Sequence, residues 1–243
     1  MMRVSALGQA LVRLIYPQAR CLCCDEPRQI DVNRPLCGAC EAALQDLLVG
    51  EDACGHCLSP RAGGQPCAYC AGGGMLGLDQ AFAPYVYREQ ARQLILRLKF
   101  GPVELAAQPL AREMALQISG IRFDALVPMP LHSSRLRERG MNQSQVLARL
   151  ISLQTGYPVL EALRKTRKIR RQSTLPAAAR AANVKGALAL AGEVKGLQLL
   201  LVDDVRTTGA TAREAAGVLR AGGAAGVCLL TAAVATGGQH GAA

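Results

Sequence analysis

Eight cysteines within the first seventy residues stand as four Cys-x-x-Cys pairs, at Cys21/Cys24, Cys37/Cys40, Cys54/Cys57 and Cys67/Cys70. Nothing else in the sequence limits the fold as strongly. Two thiolates separated by two residues can close on one tetrahedral ion from a single bend of chain, so each pair reads as half of a metal site. The eight ligands together suit two Zn²⁺ ions in a double zinc ribbon. The expected grouping joins the first pair with the second and the third with the fourth, with an interleaved grouping left open. The spacing does not follow the common ferredoxin runs, which favours zinc over an iron–sulfur cluster. Four pairs in one segment also read as ligands rather than as redox dithiols. Cys23 is then a spare thiol, His56 a knuckle residue outside the ligand set and Cys228 a strand residue.

Nine of the ten cysteines precede residue 71, so the first third of the chain is chemically unlike the rest, and Gly72-Gly73-Gly74 marks a boundary. The organisation expected is an N-terminal docking helix over 1–17, the ribbon over 18–72 and an α/β domain over 78–236. No apolar run reaches the 18 or so residues of a membrane span. Met1–Tyr16 is interrupted by Arg3, Gln9 and Arg13 and has no small-residue cleavage site, which points to the cytoplasm. In that reducing compartment, paired thiols serve metals more often than disulfides. A net charge of +10 favours anionic partners, nucleic acid and polyphosphate alike, while eight aromatic residues and no tryptophan argue against a surface that stacks many bases.

Beyond the glycine run the sequence alternates strand and helix signals. Gln80–Tyr87 alternates as a strand, Glu89–Phe100 reads as a helix with Leu94, Ile95 and Leu98 inward, and a second helix spans about Glu104–Ile118. Asp124–Met129 is a short strand, Arg135–Leu153 a helix and Val184–Leu190 a strand. Gln198–Val202 is a continuous apolar strand, Ala210–Ala221 a helix closed by Gly222-Gly223, and Ala225–Ala233 a last strand. The alternation predicts an α/β fold with a largely parallel sheet flanked by helices, whose site lies at the carboxyl ends of strands.

At one such end stands Asp203-Asp204-Val205-Arg206-Thr207-Thr208-Gly209-Ala210-Thr211. Amides in a turn that opens a helix face one point and carry partial positive charge, which suits a phosphate. Thr207, Thr208 and Thr211 add hydroxyl donors, and Gly209 lets backbone come close. Two acids beside a phosphate repel it unless they face something else, and vicinal ribose hydroxyls with an associated Mg²⁺ meet that need. The nonapeptide resembles the phosphoribosyl pyrophosphate (PRPP) signature of type I phosphoribosyltransferases. That resemblance implies a type I phosphoribosyltransferase-like fold in which Asp203 and Asp204 hold the ribose diol and serve catalysis, while Val205 to Thr211 hold the 5′-phosphate. Arg206 falls where the signature varies and receives no essential role.

Three further stretches, Val127-Pro-Met-Pro-Leu-His-Ser-Ser-Arg135, Arg139-Gly-Met-Asn-Gln143 and Gln172 through Arg180 with Asn183, together with the cysteine module, resemble the ComF family of competence and DNA-utilisation proteins. Met141 departs from the aromatic usual there. The resemblance implies that Pro128–Arg135, including Pro130, receives pyrophosphate, with Arg135 and Arg139 as anion contacts. It also makes Arg164–Arg180, with Lys165, Arg167, Gln172 and Arg180, a basic hood that closes over PRPP. His132 is read as a hydrogen-bonding structural residue rather than a general base, and Lys99 as a solvated helix-terminal lysine. No residue stands out as a nucleobase selector.

Two functions follow from the resemblance. One is an enzyme that transfers phosphoribosyl from PRPP to an acceptor with Mg²⁺ and releases pyrophosphate. The other is a non-catalytic, PRPP-responsive factor that binds single-stranded DNA and works with DNA-uptake machinery.

Overall fold

The computed structural model describes residues 20–27, 35–59, 67–101, 103–167 and 183–235. The expected docking helix over 1–17, and Gln172 and Arg180 of the expected hood, lie outside these.

The helices and strands of the described residues run α1 (Gly38–Gln45), α2 (Ala68–Ala71), β1 (Ala81–Phe82), β2 (Tyr85–Val86), α3 (Glu89–Phe100), α4 (Val103–Gln117), β3 (Ala125–Pro128), α5 (Ser133–Arg139), α6 (Gln143–Thr155), β4 (Leu163–Lys165), β5 (Leu188–Leu190), β6 (Gln198–Arg206), α7 (Ala210–Ala221) and β7 (Gly226–Val234). The main sheet has the order β1-β7-β6-β3, with β2 also on β7, and each of these pairings is parallel. β4 and β5 form a separate antiparallel pair. This is the expected α/β architecture, a parallel sheet flanked by helices with a cysteine-rich module ahead of it.

The apolar runs of β6 and β7 are buried because parallel strands are covered on both faces. Side chains alternate across β6. Leu200 and Val202 join the core made with Leu94, Leu98, Leu110, Met114, Leu147 and Ile151 from α3, α4 and α6. Leu199 and Leu201 join the opposite core, where Ala212, Ala215, Ala216 and Leu219 of α7 let that helix lie close. Each fully buried leucine contributes roughly 1.5–3 kcal/mol, so the two layers hold β6 firmly from both sides. The cysteines extend these cores: Cys21, Cys37 and Cys40 belong to the first, Cys54 and Cys57 to the second.

Several boundaries differ from the sequence reading, each for a local reason. The expected strand Gln80–Tyr87 is two short strands on the same partner, broken at Ala83-Pro84, where Pro84 has no N–H and its carbonyl accepts from Val49 N at 2.8 Å. The expected helix Arg135–Leu153 is two, because Gly140 takes φ 79° and closes α5. Asn142 then caps α6 by accepting from Ser144 N. The expected strand Val184–Leu190 shrinks to β5, since Gly186 at φ 67° turns the chain ahead of it. β6 runs past Val202 to Arg206, paired throughout with β7.

Candidate functional site

Because β6 continues to Arg206, the acid pair lies within the strand and the turn beyond it is only Thr207-Thr208-Gly209. Asp203 is partly buried. Its Oδ1 accepts from the Ser144 hydroxyl at 3.0 Å and from Asp204 N at 2.9 Å. Burial, and then the charge of Asp204, lift its carboxyl to about 6, against the hydrogen bonds and Lys99 that pull it down. Asp204 meets Lys99 Nζ at 2.6 Å. Burial alone would lower Lys99, but the carboxylate of Asp204 outweighs it and holds the ammonium above its ordinary range. Lys99 is therefore not the solvated terminal lysine of the sequence reading.

The turn leads into α7 at Gly209, which takes φ 68° and offers no side-chain cap to the first helical amides. The hydroxyl of Thr208 is buried without a hydrogen-bond partner. Amides at a helix start have no partner within the helix, and with the unpaired Thr208 hydroxyl beside them they form a donor set that a phosphate satisfies. The Thr208 carbonyl, in contrast, is used: it accepts from Arg213 Nη1 at 2.8 Å and from the Tyr69 hydroxyl at 3.3 Å.

The β3–α5 loop containing Pro130 is tied beside this strand end by Met129 N, which donates to Val202 O at 2.9 Å. Three cations converge on the same side. Burial lowers Lys165, and the charges of Arg135 and Arg139 push it further down against the pull of Asp203. Arg139 also donates to Gln143 at 3.1 Å and lies 5.3 Å over the Phe100 ring. Arg164 and Lys165 stand in β4 rather than in a loop, and Arg167 donates to the carbonyls of Asn183 and Lys185 at 3.2 and 2.7 Å. His132 caps α5, accepting from Ser134 N at 3.2 Å.

The cysteines form two groups, Cys21/Cys24/Cys37/Cys40 and Cys54/Cys57/Cys67/Cys70, each with all sulfurs within 4.8 Å of one another. This is the sequential grouping; the interleaved one is excluded. Zn–S bonds of about 2.3 Å in a tetrahedron put sulfurs about 3.8 Å apart. Cys24–Cys37 and Cys54–Cys70 are separated by 3.9 Å and Cys57–Cys67 by 3.4 Å, so both groups fit such an ion. Cys21 and Cys54 sit at about 6: burial opposes this, but neighbouring backbone N–H groups aimed at the sulfurs prevail. His56 reaches Cys70 Sγ at 3.7 Å through Nδ1 and the Asp79 carbonyl through Nε2, so it braces a ligand from outside the set. Mg²⁺ takes one or two carboxylates alongside substrate oxygens, and Asp203 with Asp204 offers that much and no more.

No protein-family model matches the chain. Competence protein F of Haemophilus influenzae is 30% identical over 217 residues, covering 83% of this chain and 90% of that protein. The chain belongs to the ComF family. Other ComF relatives include the DNA utilization protein YhgH of Escherichia coli K12, 35% identical over 150 residues, a match spanning 58% of this chain and 66% of that protein, just under two thirds. Competence protein ComFC of Bacillus subtilis is 26% identical over 231 residues, 87% of this chain and 93% of that one. Among solved structures, a B. subtilis glutamine phosphoribosylpyrophosphate amidotransferase aligns over 56% of this chain and 30% of its own, at 24% identity and TM-score 0.39. That alignment is too partial to carry a functional conclusion.

Three residues around the Asp203–Thr211 segment were not singled out from sequence, Ser144, Tyr69 and Arg213, and Arg206, expected within the phosphate-binding stretch, is instead a structural tie. Ser144 had a signal, since it follows the capping Asn142. The other three owe their place to partners remote in sequence or on the next turn of helix.

Proposed function

We propose that this ComF-family chain binds PRPP with Mg²⁺ in the cytoplasm and activates its C1–pyrophosphate bond. The observation that carries the reading is the juxtaposition at the end of β6: two carboxylates, then open helix-start amides around the unpaired Thr208 hydroxyl. Asp203 and Asp204 accept from the ribose hydroxyls, and the amides of the turn with Thr207, Thr208 and Thr211 hold the 5′-phosphate. Arg135, Arg139 and Lys165 face the pyrophosphate. As the C1–O bond breaks, its electron pair leaves with pyrophosphate, whose growing charge these cations stabilise, while the acids lie beside the ribose ring that becomes electron-poor. An acceptor's lone pair then forms the new bond to C1. Magnesium, when bound, neutralises pyrophosphate oxygens. Zinc at the two cysteine groups is structural, with all four ligands from protein.

Incubating the protein with PRPP and Mg²⁺, with and without nucleobases or single-stranded DNA, tests this through pyrophosphate release. Release that depends on an acceptor supports transfer. Calorimetry tests binding itself: Asp204→Asn should lose PRPP affinity yet keep weak phosphate binding, whereas Thr208→Pro should lose both. A charge-assisted hydrogen bond is worth about 1.5–3 kcal/mol, so each loss should reach at least about tenfold. Parent-like PRPP binding by both variants would remove the loop from the site.

A second reading, a PRPP-responsive factor acting on single-stranded DNA during DNA uptake, is favoured by the names of the relatives and by the exposed Arg164 at the foot of the basic segment.

A further inference from the structure

Arg206 falls in the expected phosphate-binding stretch with no essential role of its own, and its surroundings assign it another. It is 3% exposed although it terminates a strand beside the site. A buried guanidinium must be fully hydrogen-bonded, and this one faces the second cysteine group. Its Nη2 donates to the carbonyl of Cys57, a ligand residue, at 2.6 Å, and to the Ser59 hydroxyl at 3.1 Å. Its Cζ lies over the ring of Tyr69, 4.5 Å from the ring centre, and Tyr69 sits between Cys67 and Cys70 of that group. The Tyr69 hydroxyl then reaches the Thr208 carbonyl, and Gly209 comes so close to it that a Cβ there would lie 2.0 Å from that oxygen. Arg213 completes the seam, with Nη1 bridging the carbonyls of Thr208 and Gly74 at 2.8 and 3.3 Å.

The seam matters because of peptide geometry. In a planar trans peptide, the C=O of one residue and the N–H of the next point in opposite directions. Holding the Thr208 carbonyl toward Tyr69 and Arg213 therefore aims the Gly209 N–H away from the ribbon, to the side where an anion would sit. Among the described residues the first cysteine group has no such reach. It docks on α3, where Cys23 Sγ lies 3.8 Å from the Gln90 carbonyl and Asp25 lies 3.3 Å from Arg97.

We infer that the second cysteine group is a clamp on the phosphate loop, with Tyr69 and Arg206 as positioning residues. An ion held by Cys54, Cys57, Cys67 and Cys70 and an anion held by the loop amides then stabilise one another, since coupling between two sites is reciprocal. The clamp rests on the proposed phosphate site only for its second half. The shaping of the loop stands independently of any ligand.

The test uses the full chain loaded with zinc, and two variants. Tyr69→Phe keeps the ring and removes the hydroxyl; Arg206→Met removes the tie to Cys57. Amide hydrogen exchange over 207–210 should speed up about two- to tenfold in Tyr69→Phe, the weight of one hydrogen bond, while exchange in α3 stays as in the parent. In the parent, saturating PRPP should slow release of one of the two zinc ions to a chelator and leave the other alone. Tyr69→Phe should shrink that protection although its zinc content is normal. Arg206→Met should show the same changes more strongly; should it fail to fold, Tyr69→Phe decides alone. Unchanged loop exchange in a folded Tyr69→Phe protein overturns the clamp, whatever PRPP does. Faster exchange in a chain whose parent shows no calorimetric PRPP binding supports the clamp and overturns the PRPP reading instead. Parent PRPP binding that protects both ions equally, or neither, overturns the coupling.

Discussion

Asp203→Asn should make the protein more stable at pH 7.5 while destroying its proposed function. The native site lifts this carboxyl from 3.8 to about 6, chiefly through burial and the adjacent charge of Asp204. The folded state therefore holds the proton more tightly than the unfolded chain. Below about pH 4 both states are protonated and Asp203 costs nothing. As pH rises through about 6 the fold must carry the ionised group, and the penalty becomes complete. A shift of roughly two units at about 1.4 kcal/mol each sets this penalty near 3 kcal/mol, as an upper figure. Asparagine has the same shape, keeps an oxygen to accept from Ser144 and Asp204 N, and carries no charge. Urea unfolding of zinc-loaded protein should then show the variant more stable by about 2–3 kcal/mol at pH 7.5 and by only about 0.5 kcal/mol at pH 4. In thermal scans that is roughly 5–10 °C at the higher pH. A variant equal to or less stable than the parent at pH 7.5, or an advantage that persists unchanged at pH 4, would refute the electrostatic reasoning.

Elemental analysis of native protein should find close to two zinc ions per chain, and Cys57→Ser should lower the count by about one with a marked loss of stability, because metal binding supplies much of the folding energy of so small a unit. Lys99→Met should destabilise the protein at pH 7.5 by about 1–3 kcal/mol in urea unfolding, and adding Asp204→Asn should restore part of the loss, since the lone carboxylate is what hurts; an additive double variant would deny the pair any coupling. For DNA, Arg164→Gln should reduce the salt slope of single-strand binding by about 0.7, the share of one phosphate contact. Lys165→Gln should leave that slope alone and weaken PRPP instead, because Lys165 is shielded from solvent and feels the charge of Asp203. Equal slopes for all three proteins would separate the basic segment from nucleic acid.

The order of strands and helices was legible because the core-facing runs are long and unmixed. Glu89–Phe100 and Ala210–Ala221 emerge with the bounds their periodicity gives. The cysteine pairs announced two four-sulfur sites in sequential grouping, and the geometry bears that grouping out. Boundaries slipped where a single residue overrode the pattern, as at Pro84 and Gly140, or where a neighbour extended an element, as β7 does for Asp203 to Arg206. Within the candidate site, residues that carry donors on contiguous backbone could be read directly. Tyr69 could not, because its partner Thr208 is 139 residues away, and for Ser144 the capping Asn142 signalled its place but not its bond to Asp203, 59 residues on. A tyrosine between two ligand cysteines looks like knuckle filler until the fold shows what lies beneath it.

The last of the described strands in chain order lies inside the sheet. β7 sits between β6 and the β1/β2 edge, so β1 and β2, from residue 81, wait for a partner that begins at residue 226. The two sheet halves can zip together only once β7 itself has been made. Until then the apolar edges of β1, β2 and β6 are open to other strands. Shortening the chain by even this one strand would remove the middle of the sheet rather than trim its rim. Deleting β7 should therefore yield no partly active fragment, only a substrate for chaperones and proteases.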